Sequence, residues 1–246
     1  MPRLWMRLAL TKIKERYQRS VIGAFWITLS TLVMVITFGL LYGMLLDRTI
    51  SVHLPYVAVG LVFWMFYSDF LIKGCRLFIE NSRMIQQLPL AKSVYLYKLT
   101  SEELIYLAHN VLIIVLSFVV FLKPVFSVIL LLPLGLILLL VNAMSCALIF
   151  GIVSTRYRDF PQVITSFMRP MMFITPIIWS VDIRPQLEVF VQFNPFFHLI
   201  EICRGPILGY PPTSTNWVVS LVLTIFAAVI ALVMFTRYRS KIAYWV

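Results

Sequence analysis

Charge is scarce in this sequence. Only 13% of its 246 residues are Asp, Glu, Lys or Arg, while 61% are apolar. A soluble domain carries about 25% charge and is about half apolar. A chain this short cannot hide so large an apolar excess in one water-facing core. The excess is expected to face lipid or a partner. Cysteine is scarce too. Cys75, Cys146 and Cys203 lie far apart with no CxxC pair, which speaks against a disulfide framework or a cysteine zinc site. His53, His109 and His198 are scattered, and no HExxH, GxSxG or GxGxxG occurs. Without a GxxxxGK phosphate loop the chain is not expected to hydrolyse nucleotide by itself. The expectation is a non-enzyme that binds no cofactor and no metal.

What the sequence does have is long apolar runs. Crossing a hydrocarbon core takes about 20 mostly apolar helical residues. Runs at 20–46, 54–72, 104–122, 126–155, 161–181 and 217–236 meet that need. The expected fold is an all-α integral membrane protein with six spans. Pro133 is a candidate kink in the fourth span, and Pro170 and Pro176 fall in the fifth. The first run follows a basic stretch and is too long for a signal-peptide core, so it reads as a retained helix.

The formal net charge is +11. On a soluble protein this would suggest nucleic acid, but no basic patch is interleaved with aromatic platforms, so nucleic-acid binding is not expected. Retention of positive loops on the cytoplasmic side explains the charge better. With the N-terminus inside, only Arg48, Lys123, Arg184 and Arg204 fall outside. Arg169 falls in the fifth span, and the other sixteen of the 21 Lys and Arg lie inside. Both chain ends are then cytoplasmic.

Three segments are more than loops. Residues 1–19 read as an amphipathic helix at the inner membrane surface. Trp5, Leu8, Ala9 and Ile13 recur at helical spacing, Arg3, Arg7, Lys14 and Arg19 lie elsewhere on the surface, and Glu15 and Arg19 are four apart. The inner segment 73–103 carries Phe78, Ile79, Met84, Ile85 and Leu88 among its charges and is too long to be idle, so a short helix that docks onto a cytoplasmic partner is expected there. The outer segment 182–216 holds apolar stretches too short to span. These predict two re-entrant half-helices near 185–193 and 195–208. Gly39 and Gly43 form a GxxxG that would allow close helix approach.

The chain resembles the permease subunit of ABC-2 type exporters, above all the branch that exports polysaccharides such as lipid-linked O-antigen. The resemblance rests on RYQRSVIGAFWITLSTLVMVITFGLLYG at the first span, FIENSRMIQQLPLAKSVYLYKL in the first inner segment, RYRDFPQV opening the fifth span, TPIIWS closing it, and FNPFFHLIEICRGPILG after it. Their order and spacing cover nearly the whole chain. The resemblance implies a homodimer in a bacterial inner membrane, bound to two copies of a separate phosphate-loop ATPase that holds ATP and Mg. It implies that Asn81, Met84, Ile85, Leu88 and Pro89 belong to the helix that couples to that ATPase. Pro89 departs from a continuous run and is expected to end that helix at Leu88. Rival readings are a permease for another cargo, such as teichoic acid or a hydrophobic drug, and a membrane glycosyl- or acyltransferase.

Several residues are candidates for the transport path. At 1.5 Å per residue Asp69 lies about 22 Å from the outer start of the second span and His109 about 8 Å from the inner start of the third. These depths coincide in a ~30 Å core, so the two are expected to pair. Arg169 falls near the midplane and is expected to face the bundle or a cavity rather than lipid. Glu201 and Arg204 are three apart and are expected to pair. Trp64, Tyr67, Phe173, Trp179, Phe196 and Phe197 are candidates for an aromatic sugar path.

Overall fold

The computed structural model describes residues 2–18, 20–121, 128–183 and 185–246. The expected Glu15–Arg19 pair, Lys123, Arg184 and the junction between the third and fourth spans lie outside the described residues. Among the described residues the chain is helical and contains no strand. Its helices are α1 (Pro2–Tyr17), α2 (Phe25–Leu45), α3 (Ile50–Cys75), α4 (Ser82–Gln87), α5 (Ser93–Phe121), α6 (Leu132–Arg156), α7 (Phe160–Ile174), α8 (Glu188–Gln192), α9 (Pro195–Leu208), α10 (Ser214–Tyr238) and α11 (Ile242–Trp245).

Five helical stretches are long and apolar enough to cross a membrane: α2, α3, α5, α6 with the 3-10 turn before it, and α10. The chain is therefore an all-helical protein of membrane type. The expected fifth span is helical only over Phe160–Ile174, and Thr175–Ser180 follows as turns. Pro176 explains the stop, because it lacks an amide donor and pushes Thr175 out of helical conformation; Thr175 has ψ 134°. Pro133 does not kink the fourth span. It sits in the first turn of α6, where the missing amide is not needed. The third span starts earlier than expected, at Ser93, so the inner connection shrinks to the segment between α3 and α5 that carries α4.

α3 occupies the middle. It packs against α2, α5, α6, α7 and α9, and α10 joins through α6 and α9. Gly74 of α3 meets Ala147 of α6 so closely that a Cβ there would lie 2.5 Å from the Ala147 Cβ and 2.6 Å from its Cα. At Gly135 of α6 an added Cβ would lie 2.5 Å from the Ile202 carbonyl of α9. Such small-residue seams are how helices approach when lipid supplies no hydrophobic drive between them. Gly39 and Gly43 of the GxxxG face the α3 start, at Leu54 and His53. Lipid-type surface remains on α2, α5 and α10, where Val33, Val119, Phe226 and Leu232 are exposed.

Replacing Gly74 by Ala tests this crossing. Helix propensity alone predicts a gain of about 0.8–1.0 kcal/mol, whereas overpacking against the α6 backbone predicts a loss of about 1–3 kcal/mol. The expected outcome is a lower thermal unfolding midpoint in detergent.

Candidate functional site

Two polar assemblies lie at opposite ends of the bundle. The first is built by α9, by the start of α3 and by the turns after α7. α9 begins at Asn194, whose Oδ1 accepts from the Phe196 amide at 3.0 Å and whose Nδ2 donates to Thr175 Oγ1 at 2.9 Å. Pro195 fills the first helical position, and Gly209 closes the helix at φ +90°. The local sequence thus sets where α9 starts and stops. The side-chain cap also ties it to the break after α7.

On α9 the expected Glu201–Arg204 pair is present and buried, with side-chain exposures of 9% and 2%. Arg204 Nε donates to Glu201 Oε2 at 2.9 Å and Nη2 donates to the same oxygen. Arg204 Nη1 donates to the Pro176 carbonyl at 2.6 Å, and Tyr210 donates to Glu201 Oε1 at 2.8 Å. The guanidinium also stacks on Tyr56, 4.2 Å from the ring centroid. Tyr56 in turn donates toward the Pro176 and Trp179 carbonyls at 3.2 and 3.3 Å. Gly60 of α3 leaves room for this, since a Cβ there would lie 3.2 Å from the Ile177 carbonyl and 3.6 Å from Arg204 Nη1. Beside the network opens a cavity of about 590 Å³ whose lining includes Arg48, His53, Tyr56, Asp182, Phe197 and Glu201. His198, below it, is held by Asn216 Oδ1 and the Gln192 carbonyl, each at 2.8 Å.

The aromatic candidates divide. Trp64, Tyr67 and Phe196 come together, with centroids of 5.6 Å and 5.9 Å from Phe196, and Phe167 joins at 6.5 Å. Trp64 and Tyr67 are buried, however, and Tyr67 donates to Asn142 of α6 at 2.6 Å. Within one chain they are packing residues and line no open path. Phe173 is exposed, and Trp179 Nε1 donates to its carbonyl at 2.9 Å. Phe197 lines the cavity beside the Glu201–Arg204 network. Arg169 does not face the interior of its own chain. It is exposed on α7, as are Val163, Phe167 and Phe173.

The expected Asp69–His109 pair is replaced by other partners. Asp69 lies 3.7 Å from Lys73, one turn along α3. His109 Nδ1 lies 2.8 Å from the Ile105 carbonyl of its own helix. Equal depth did not bring the two faces together.

The second assembly is at the α4 end. Ile85 of α4 is buried at 4% exposure and anchors the helix, so it does not offer itself to a partner. Asn81 is also structural, donating to the Leu77 carbonyl at 2.7 Å and accepting from Lys98 at 3.0 Å. Met84 is half-buried, while Arg83, Gln87, Leu88 and Pro89 are exposed. α4 ends at Gln87, and Leu88 is already extended ahead of Pro89. Gln86 donates to the Val246 carbonyl at 2.8 Å, which brings α11 alongside.

An ionic clasp surrounds α4 that the sequence did not reveal. Lys12 of α1 lies 3.4 Å from Glu80 and 3.2 Å from Glu102, and Lys73 lies 2.8 Å from Glu103. Arg16 donates to Tyr106 at 3.0 Å, and Lys73 sits 4.4 Å from that ring. Ala9 and Ile13 of α1 are buried and Trp5 meets Tyr97 at 5.1 Å, so the amphipathic N-terminal helix is seated on α5. The adjacent carboxylates Glu102 and Glu103 were the available signal, since side by side at the mouth of an apolar run they require cations.

A family model for the ABC-2 type transporter matches residues 3–208. The chain belongs to the ABC-2 type transporter family. Two Klebsiella pneumoniae proteins, each named O-antigen export system permease protein RfbA, are 22% identical to it over 237 residues, covering 94% of this chain and 90% of their own. Membership makes this ABC-2 chain a transport subunit. The match runs from α1 to the end of α9 and so includes both Glu201 and Arg204 and the Lys12, Lys73, Glu102 and Glu103 clasp.

Arg204→Leu would strand a buried carboxylate and is expected to cost about 3–5 kcal/mol. Adding Glu201→Leu to it is expected to restore much of that loss, because Pro176 keeps its bond from Tyr56. Thermal unfolding of both single variants and the double variant measures the coupling.

Proposed function

We propose that this chain is the membrane subunit of an ATP-driven exporter that moves a lipid-linked polysaccharide of O-antigen type across a bacterial inner membrane. The observation that carries this reading is the similarity to proteins named O-antigen export permeases over 94% of the chain. On it, two copies of the chain form the path, and two copies of a separate phosphate-loop ATPase bind ATP and Mg. α4 is the seat of that ATPase. Its exposed Arg83, Gln87, Leu88 and Pro89 offer the contact, and buried Ile85 fixes the seat to the bundle.

Further features support the arrangement. Arg169 is exposed on α7 of a single chain. A cation at mid-depth is costly against lipid, so α7 belongs at an interface or a wet path, which a second copy would supply. The turns after Ile174, together with α7, serve as the sixth crossing, and α8 with α9 forms the outer re-entrant hairpin. Both ends of the chain are then cytoplasmic, with α1 lying along the inner surface. The glycan carrier enters from the inner side, and the sugar passes along Phe173, Trp179 and Phe197.

The test is co-purification and export. Leu88→Asp is expected to abolish recovery of the ATPase with the permease, and the lipid-linked glycan is expected to accumulate on the inner face. The variant permease itself should reach the membrane at normal level. Failure to recover any phosphate-loop protein with the unaltered chain would reject the coupling. Normal surface glycan in a strain that lacks the chain would reject the cargo.

A further inference from the structure

The cavity at the Arg48 end shares one wall residue with a second one. Phe118 of α5 lines both the polar chamber and an apolar groove of about 590 Å³ between α5, α6 and α9. The groove follows one face of α5 through Leu107, Val111, Ile114, Val115 and Phe118, with Leu136 and Ile207 opposite. From Phe118 to Leu107 it runs about 16 Å at 1.5 Å per residue. That is close to the length of one extended acyl chain, about half of a ~30 Å hydrocarbon core.

The chamber above it is not self-sufficient. His53 is 4% exposed, yet its Nε2 has no hydrogen-bond partner among the described residues. A buried polar atom left in that state calls for a ligand group. Arg48, on the same wall, is exposed and forms no ion pair among the described residues. Glu201 is neutralised by Arg204, and Asp182 is exposed at the side of the chamber formed by the turns after α7. On the α3 side of the chamber the unspent chemistry is therefore one cation and one imidazole nitrogen, with the Asp182 carboxylate on the wall formed by the turns after α7.

We infer that each chain holds one glycerophospholipid from the leaflet at the Arg48 end. Its phosphate lies between Arg48 and His53 Nε2, and one acyl chain runs down the groove past Phe118 toward Leu107. The length selects this occupant. An acyl chain has about that length, whereas a polyprenyl carrier is several times longer and would overrun the groove. The site lies within a single chain and does not depend on which cargo is exported. Its role is to fix the spacing of α5, α6 and α9, and so to support the Glu201–Arg204 network.

The test uses the full-length protein purified from its membrane. After extensive detergent washing, retained lipid is read by native mass spectrometry and identified after extraction. One phospholipid per chain is expected. Arg48→Gln with His53→Leu removes both phosphate contacts and is expected to lower retention by more than about tenfold, which is the scale of one charge-assisted hydrogen bond. Val115→Trp, which fills the groove, should do the same. Val229→Trp, on the exposed face of α10, should leave retention unchanged. Arg48→Gln alone removes only an exposed side chain, so it keeps the test open if a buried variant fails to fold, and it too should lower retention. Retention that is the same in Arg48→Gln and the unaltered chain would overturn the proposal. So would an absence of phospholipid after washing, or recovery of a polyprenyl phosphate in its place.

Discussion

The packing of α3 is the constraint on which the rest of this molecule depends. Five helices touch it directly, and most of its side chains are buried. In lipid, helices gain little by hiding apolar surface from one another, so close backbone approach and polar bonds between helices decide the arrangement. α3 supplies both along its length. Gly74 admits α6 at one end, Gly60 admits Ile177 and Arg204 near the other, and Tyr67 bonds to Asn142 between them. Larger residues at the two glycines would push α6 or the turns after α7 outward, and the polar bonds at both ends would lose their geometry.

Those polar bonds follow a common rule. A charge in a water-poor interior is tolerated only when paired and hydrogen-bonded. At the Arg48 end, Arg204 meets this through Glu201, the Pro176 carbonyl and the Tyr56 ring. The carbonyl of Pro176 is free to accept because the helix has stopped two residues earlier. The break in α7 is thus a precondition for burying Arg204. At the α4 end, Lys12 and Lys73 neutralise Glu102 and Glu103 and join α1, α3 and α5 into one unit around the base of α4. On the coupling reading, a force applied at α4 meets a stiff joint there. It is therefore carried into α3 and α5 rather than absorbed by a loose loop.

Much of this was legible from residue order. Uninterrupted apolar runs identified the five long helices, since length and hydropathy are properties of the chain alone. The Glu201–Arg204 pair was legible because three residues on a helix fix both height and direction. The short helix at Pro195–Leu208 was legible as an apolar stretch too short to span. Asp69 and His109 failed for the complementary reason. Depth arithmetic gives height within a bilayer but not azimuth, and each residue found a partner on its own helix. The clasp of Lys12 with Glu80 and Glu102 joins residues distant in sequence, so no periodicity encodes it. Trp64 and Tyr67 were path candidates because aromatic rings suit sugars, yet the same rings suit the interior of a bundle, and within one chain they are buried there.

On the proposed reading, Arg169 is where a single chain gives an incomplete account of the function. Its helix buries only Pro161 and Met168, and turns Val163, Phe167, Arg169 and Phe173 outward. An apolar face of that kind would suit lipid if the cation were absent. With Arg169 at its middle, contact with hydrocarbon is disfavoured by several kcal/mol, about 2.5–3.5 on insertion scales. The face therefore calls for a polar neighbour that this chain does not supply from its own described residues. Phe167, exposed on another side of the same helix, touches Phe196, which packs on Trp64 of α3. Whatever covers α7 is thereby connected through two aromatic contacts to the central helix, and so to both polar ends of the bundle.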